Sequence, residues 1–154
     1  MKLVQSTCQD KTVSAVKLSA SAPSSAQFWL STVRPHSVPL LAIWLIDARY
    51  LCSSESARKV QNLAANPHCV LTTGGPDLVL SMEGTASRIT DKEALERVAE
   101  AYGNTYGWEV TVVDGGLDGG GIGPAPYIVC EVTPAKVIGI NKESGFRATR
   151  WRFD

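Results

Sequence analysis

The stretch that most constrains this chain is residues 78–89, Leu-Val-Leu-Ser-Met-Glu-Gly-Thr-Ala-Ser-Arg-Ile. Leu78, Leu80 and Met82 point one way, while Ser81, Glu83, Thr85 and Ser87 point the other. That period of two belongs to a long, half-exposed strand. Gly84 interrupts it and marks a bulge or the close approach of another group. Further strands are expected at Phe28–Val33, Val38–Ile46, Arg49–Ser53, Cys69–Thr73 and Tyr127–Val132, with Val137–Ile140 continuing after a break at Pro134. Pro39 has no N–H to give, so it should lie near an edge or a strand start.

Two segments carry helical spacing instead. Ala57, Val60, Leu63 and Ala64 predict a short helix over residues 55–65, capped by Ser53 or Ser54 and stopped at Asn66-Pro67. Thr90 and Glu93 fit a capping box for a second helix. Leu95, Val98, Ala99, Tyr102 and Tyr106 form its apolar stripe, and Gly107 closes it. The helices do not alternate regularly with the strands, which excludes a doubly wound sheet. The pattern predicts a mainly β, α+β domain, a small barrel or strongly curled antiparallel sheet with two principal helices. Residues 1–26 read as an irregular arm and 27–154 as the folded domain. The glycine-rich stretch 114–126 is costly to order and reads as a mobile loop, either a linker or a substrate lid.

Charge narrows the function. Fifteen basic and fifteen acidic side chains cancel, so there is no global field to gather nucleic acid or an acidic membrane. Val38–Ile46 is too short to cross a bilayer as a helix, and Met1–Ser6 breaks off too soon for a signal segment. A cytoplasmic protein is expected. Cys8, Cys52, Cys69 and Cys130, with His36 and His68, lack the spacing of a zinc site. Cys52, Cys69 and Cys130 lie in apolar strand-like runs and read as buried free thiols. Cys52 has no evident base partner, and His68 reads as structural. Glu83 is expected to pair with a cation or face a subunit interface.

One polar run stands out: Ser53-Ser54-Glu55-Ser56-Ala57-Arg58-Lys59. It places two cations in a first helical turn, where free N–H groups and the helix dipole already attract an anion. Serine hydroxyls add donors. The combination suits a phosphate; an exposed basic pair is the plainer alternative.

The runs Phe28–Pro35, Val38–Trp44, Ser56–Leu63, Asn66-Pro67, Glu83–Ala86, Tyr102–Trp108 and Ala148–Phe153, in this order and spacing, resemble the pyridoxamine 5′-phosphate oxidase-like superfamily. Within it they are similar to the branch that includes deazaflavin (F420)-dependent reductases. The likeness covers about residues 28–153. It implies a split β-barrel, FMN-binding-like, forming a homodimer with a cofactor in each groove between subunits. It implies F420 or FMN as cofactor, with haem a lesser alternative. By the same resemblance the Arg58-Lys59 pair holds the cofactor phosphate, and the Ser53 and Ser54 hydroxyls are expected to add donors to it. Thr32 and Arg34 contact the ring or ribityl part, and Trp151 and Arg152 approach the cofactor of the adjacent subunit. Relatives carry a turn of Asp-Gly-Arg-Pro type between the first two strands. Here Arg34-Pro35 runs almost directly into His36-Ser37-Val38-Pro39, so a tighter hairpin is expected. The implied function is an oxidoreductase passing a hydride to or from a small organic substrate, with no side chain announcing itself as catalytic acid. The alternative is a non-catalytic protein that stores, carries or senses a flavin, F420 or haem.

Overall fold

The structure is a computed structural model that describes residues 3–5, 25–30, 36–45, 48–74, 78–121, 123–141 and 145–153, with backbone only for 3–5, 25–30 and 36. The strands are β1 (Leu3–Gln5), β2 (Ser25–Leu30), β3 (His36–Leu45), β4 (Ala48–Ser54), β5 (His68–Gly74), β6 (Leu78–Ile89), β7 (Thr111–Val113), β8 (Gly116–Asp118), β9 (Tyr127–Asn141) and β10 (Arg147–Phe153). The helices are α1 (Arg58–Ala65), between β4 and β5, and α2 (Lys92–Tyr106), between β6 and β7.

Six strands close a ring through antiparallel pairings: β2 with β3, β3 with β4, β4 with β9, β9 with β6, β6 with β5, and β5 with β2. The barrel is split because β9 changes neighbour along one edge. Its first half, Tyr127–Val132, pairs with β4, and its second half, Lys136–Asn141, pairs with β10. β1 adds to the far side of β10. β3 makes a similar handover, pairing with β2 over His36–Leu41 and with β4 over Ala42–Leu45. Pro39 falls in the half bonded to β2 alone, which agrees with an edge-like position.

Alternation along these strands builds two cores. Leu40, Ala42, Leu51, Leu71, Leu80, Met82, Val132 and Val137 fill the barrel. Ile43 and Val129 point the opposite way and meet Leu95, Val98 and Tyr102 of α2, with Leu117 of β8. Leu51, Leu117, Val129 and Val132 are fully buried; each such side chain contributes roughly 1.5–3 kcal/mol. Tyr102 and Tyr106 then fasten α2 to β3 by donating to the carbonyls of Leu41 (3.1 Å) and Ala42 (2.7 Å). Among the described residues no helix is long and apolar enough to cross a membrane.

The long strand at 78–89 has the expected ends, and its register slips between Glu83 and Gly84. A Cβ at Gly84 would lie 2.5 Å from the Thr133 carbonyl oxygen, so close approach and bulge coincide there. Pro134, expected to break the last strand, sits opposite Gly84 inside the continuous β9. The bulge absorbs the residue that cannot donate.

Other expectations need correction. α1 begins at Arg58 rather than at residue 55, and its N-cap is Ala57 with no side-chain cap. A turn closed by Ala57 N–H onto Ser54 C=O (2.9 Å) uses the intervening residues. The α2 cap is Asp91, whose carboxylate accepts from Ala94 N–H at 2.9 Å, in place of the Thr90–Glu93 box. Glu93 pairs with Arg97 instead.

The glycine-rich stretch is not all loop. Gly116–Asp118 forms β8, paired to β7 and touching Tyr127. Gly119 packs so tightly on Trp108 that a Cβ there would meet the indole at 2.6 Å. Of the N-terminal arm, Leu3–Gln5 pairs with Gln5↔Trp151 at one end, and β2 begins at Ser25; residues 6–24, including Cys8, lie outside the described residues.

Candidate cofactor-phosphate site

β4 delivers the polar run to a corner of the barrel. Its last residue, Ser54, stands opposite Tyr127, and the chain turns there into α1. Ser54 and Ser56 share a hydroxyl–hydroxyl hydrogen bond of 3.0 Å, and Gln61 Nε2 donates to the Ser56 carbonyl at 3.3 Å. Pro124, Ala125 and Pro126 form the opposite wall of an open cleft of about 410 Å³, lined also by Ser54, Glu55, Ser56 and Gln61. The glycine-rich stretch therefore shapes this site through its last residues.

Arg58 and Lys59 are the first two residues of α1. Their N–H groups belong to the helical turn that has no intrahelical acceptors. Arg58 is exposed and Lys59 half-buried. Burial lowers the Lys59 pKa, with the neighbouring Cys52 pulling weakly the other way. The only carboxylate in the turn, Glu55, pairs with Arg88 at 3.3 Å rather than with either cation. Arg88 also donates to the Gly115 carbonyl at 3.3 Å, so it ties the turn before α1 to the β7–β8 turn. Among the described residues neither Arg58 nor Lys59 has an ion pair. An uncapped helix start with two unanswered cations fits a phosphate monoester.

Ser53 departs from the expected set. It is buried, 7% exposed, and does not line the cleft. Cys52 is half-buried beside Lys59; burial raises its pKa, against a Tyr102 hydrogen bond and the Lys59 charge. A thiol held protonated is no nucleophile at neutral pH. Cys69 and Cys130 are buried free thiols, as expected, pushed up to about 12 and about 11 respectively by burial. Glu83 pairs with Lys136. His68 is exposed, its Nδ1 3.5 Å from the Thr85 hydroxyl.

Trp151 and Arg152 lie elsewhere. Trp151 is opposite Val137 and Arg152 opposite Lys136, on the half of β9 remote from Ser54. Trp151 packs against Gly139 and the barrel core, and Arg152 is exposed. One chain does not bring the two groups together. Thr32 and Arg34, and with them the shortened hairpin, lie outside the described residues.

The sequence pattern of the family described as pyridoxamine 5′-phosphate oxidase matches residues 17–141. The chain belongs to this family. No curated protein sequence matches it. Several solved structures share the fold at low identity. An FMN-binding, pyridoxamine 5′-phosphate oxidase-related protein from Nostoc punctiforme is 14% identical, with a TM-score of 0.54, covering 82% of this chain and 78% of its own. A FAD-binding protein from Mesorhizobium loti is 15% identical, with a TM-score of 0.54 and 84% of both chains covered. A haem-binding protein from Mycobacterium smegmatis is 19% identical, with a TM-score of 0.58; 81% of this chain aligns with 51% of that one. The pyridoxamine 5′-phosphate oxidase match contains the whole Ser53–Lys59 run and ends at Asn141, before β10.

Sequence reasoning missed Arg88, Gln61 and the Pro124–Pro126 wall. Nothing local signals them. Arg88 is 33 residues from Glu55 and 27 from Gly115, and only closure of the β6–β9 seam brings it there.

Proposed function

We propose that this member of the pyridoxamine 5′-phosphate oxidase family is an oxidoreductase that binds FMN or F420 and passes a hydride to or from a small organic substrate. One observation carries the reading: Arg58 and Lys59 open an uncapped helix, and the neighbouring carboxylate is turned away onto Arg88. Arg58, Lys59 and Ser54 would hold the phosphate, and Arg88 would keep the turn in shape. The bound ring supplies the hydride chemistry, while the protein supplies orientation and a shielded groove. Thr32 and Arg34 remain proposed ring contacts.

The separation of Ser54 from Trp151 supports a homodimer, because a site using both the helix start and Trp151-Arg152 needs two chains. A second reading, a cofactor carrier, is favoured by the sequence, in which Arg34-Pro35 runs almost directly into His36-Ser37-Val38-Pro39 at the groove that holds the ring in relatives.

Titration of the protein with FMN and with F420, followed by the visible spectrum, tests the cofactor assignment. Saturable micromolar binding of either supports it, and failure of both overturns it. A Soret band in purified protein would point to haem instead. Oxidation of the bound reduced cofactor by added electron acceptors separates enzyme from carrier.

A further inference from the structure

The end of β4 remote from Ser54 holds another cation, which the proposed phosphate seat does not use. Arg49 of β4 is the cross-strand partner of Trp44 of β3. Its guanidinium lies over the Trp44 ring, 4.8 Å from the centroid. The pair borders a small opening into the barrel, walled by Leu71, Leu80, Met82 and Val137, with the Thr72–Thr73 segment at its side. The space measures about 20 Å³, room for one oxygen-sized atom.

Arg49 is half-buried, and burial depresses its pKa. Among the described residues no ion pair reaches it; it stacks on the face of Trp44, and the Tyr106 hydroxyl lies close enough to interact with its charge. Guanidinium N–H donors held in an apolar opening are costly unless something accepts from them. A stacked arginine is pre-organised to offer a forked pair of donors to a planar carboxylate.

The geometry points to Arg49 and Trp44 as a binding site for the carboxylate of a small organic acid, with one oxygen entering the opening and the rest of the molecule outside. The location ties it to the proposed reaction. Val137, in the wall, is the register partner of Trp151, and Leu80, also in the wall, underlies Trp151 near Gly139. If Trp151 approaches the cofactor of a second subunit, Arg49 selects a carboxylate-bearing substrate beside that cofactor. That last step rests on the proposed function; the carboxylate site itself does not.

The test uses acetate, with acetamide as the uncharged control, titrated at constant ionic strength and followed by tryptophan fluorescence. Wild-type protein should give a saturable change with acetate and none with acetamide. Arg49→Met should abolish it, and Arg49→Lys, which keeps the charge without the fork, should weaken it by about tenfold. Circular dichroism confirms that each variant is folded, and Arg49→Lys answers the question if Arg49→Met is not. A response in the variants equal to wild type, or no saturation in wild type, overturns the site. FMN and F420 titrations of the same variants stay unchanged if the site is separate from the phosphate seat. Loss of FMN and F420 binding by wild type with acetate binding intact would remove only the proposed oxidoreductase.

Discussion

Ser54 and Trp151 are held apart by β9. Ser54 is opposite Tyr127 and Trp151 opposite Val137, ten residues further on, which is about 33 Å of extended strand. The proposed cofactor site, which uses both, therefore draws on two chains. Light scattering should give a dimer mass. The sharper check mixes two inactive proteins, Arg58→Ala/Lys59→Ala and Trp151→Ala/Arg152→Ala. Subunit exchange should restore cofactor binding that neither parent shows, because each mixed dimer rebuilds one intact site. No restoration after exchange would place the whole site within one chain.

The seat should respond to charge removal more strongly than the fold does. Arg58→Ala/Lys59→Ala should weaken cofactor binding by about 2–4 kcal/mol, the scale of one or two charge-assisted hydrogen bonds. Lys59→Met alone should leave the melting temperature unchanged or slightly raised. Burial depresses the Lys59 pKa in the folded state, so protonation at neutral pH favours the unfolded chain. Calorimetric titration and thermal melts of the same samples separate the two effects.

Arg88 gives a different signature. Arg88→Met breaks the contacts to Glu55 and Gly115 and frees Glu55 to meet Arg58 or Lys59. Cofactor affinity should fall and recover partly in Arg88→Met/Glu55→Gln, where the competing carboxylate is gone. An exposed pair contributes little to stability, about 0–1 kcal/mol, so urea midpoints should hardly move.

The buried thiols predict an alkaline limit. Cys69 and Cys130 are raised from 9.0 to about 12 and about 11. Their folded pKa values exceed the unfolded ones, so the stability they contribute is full below pH 9 and is lost as pH rises toward 11–12. Unfolding free energy should decline over that window, and Cys69→Ala/Cys130→Ala should flatten the decline. In the native protein at pH 8 both thiols should resist alkylation.

The seam between β6 and β9 has no slack at its bulge. Gly84→Ala places a Cβ 2.5 Å from the Thr133 carbonyl and 2.9 Å from a Val132 methyl. The expected cost is roughly 1–3 kcal/mol, read from urea unfolding.

Where spacing alone carries the signal, the chain was legible. The alternation at 78–89 marked a strand with both ends correct, and the stripe Leu95, Val98, Ala99, Tyr102, Tyr106 marked α2. Ser54, Arg58 and Lys59 lie close enough in sequence to suggest a candidate anion site without any tertiary contact. The misreadings share a cause. Pro134 looked like a break because its partner across the bulge, Gly84, is 50 residues away. Residues 114–126 looked unanchored because the surfaces that hold Gly116 and Gly119, at Tyr127 and Trp108, are set by packing.

Local chemistry in the sequence thus determined the strand-rich class, the helix faces and the polar, basic start of α1. Periodicity and capping act within a few residues of the chain. Tertiary structure decided which carboxylate answers which cation. It turned Glu55 onto Arg88 and so left Arg58 and Lys59 open. It placed Trp151 on the half of β9 remote from Ser54 and stacked Arg49 on Trp44. Those outcomes depend on strand register and barrel closure, which join residues that no sequence spacing relates.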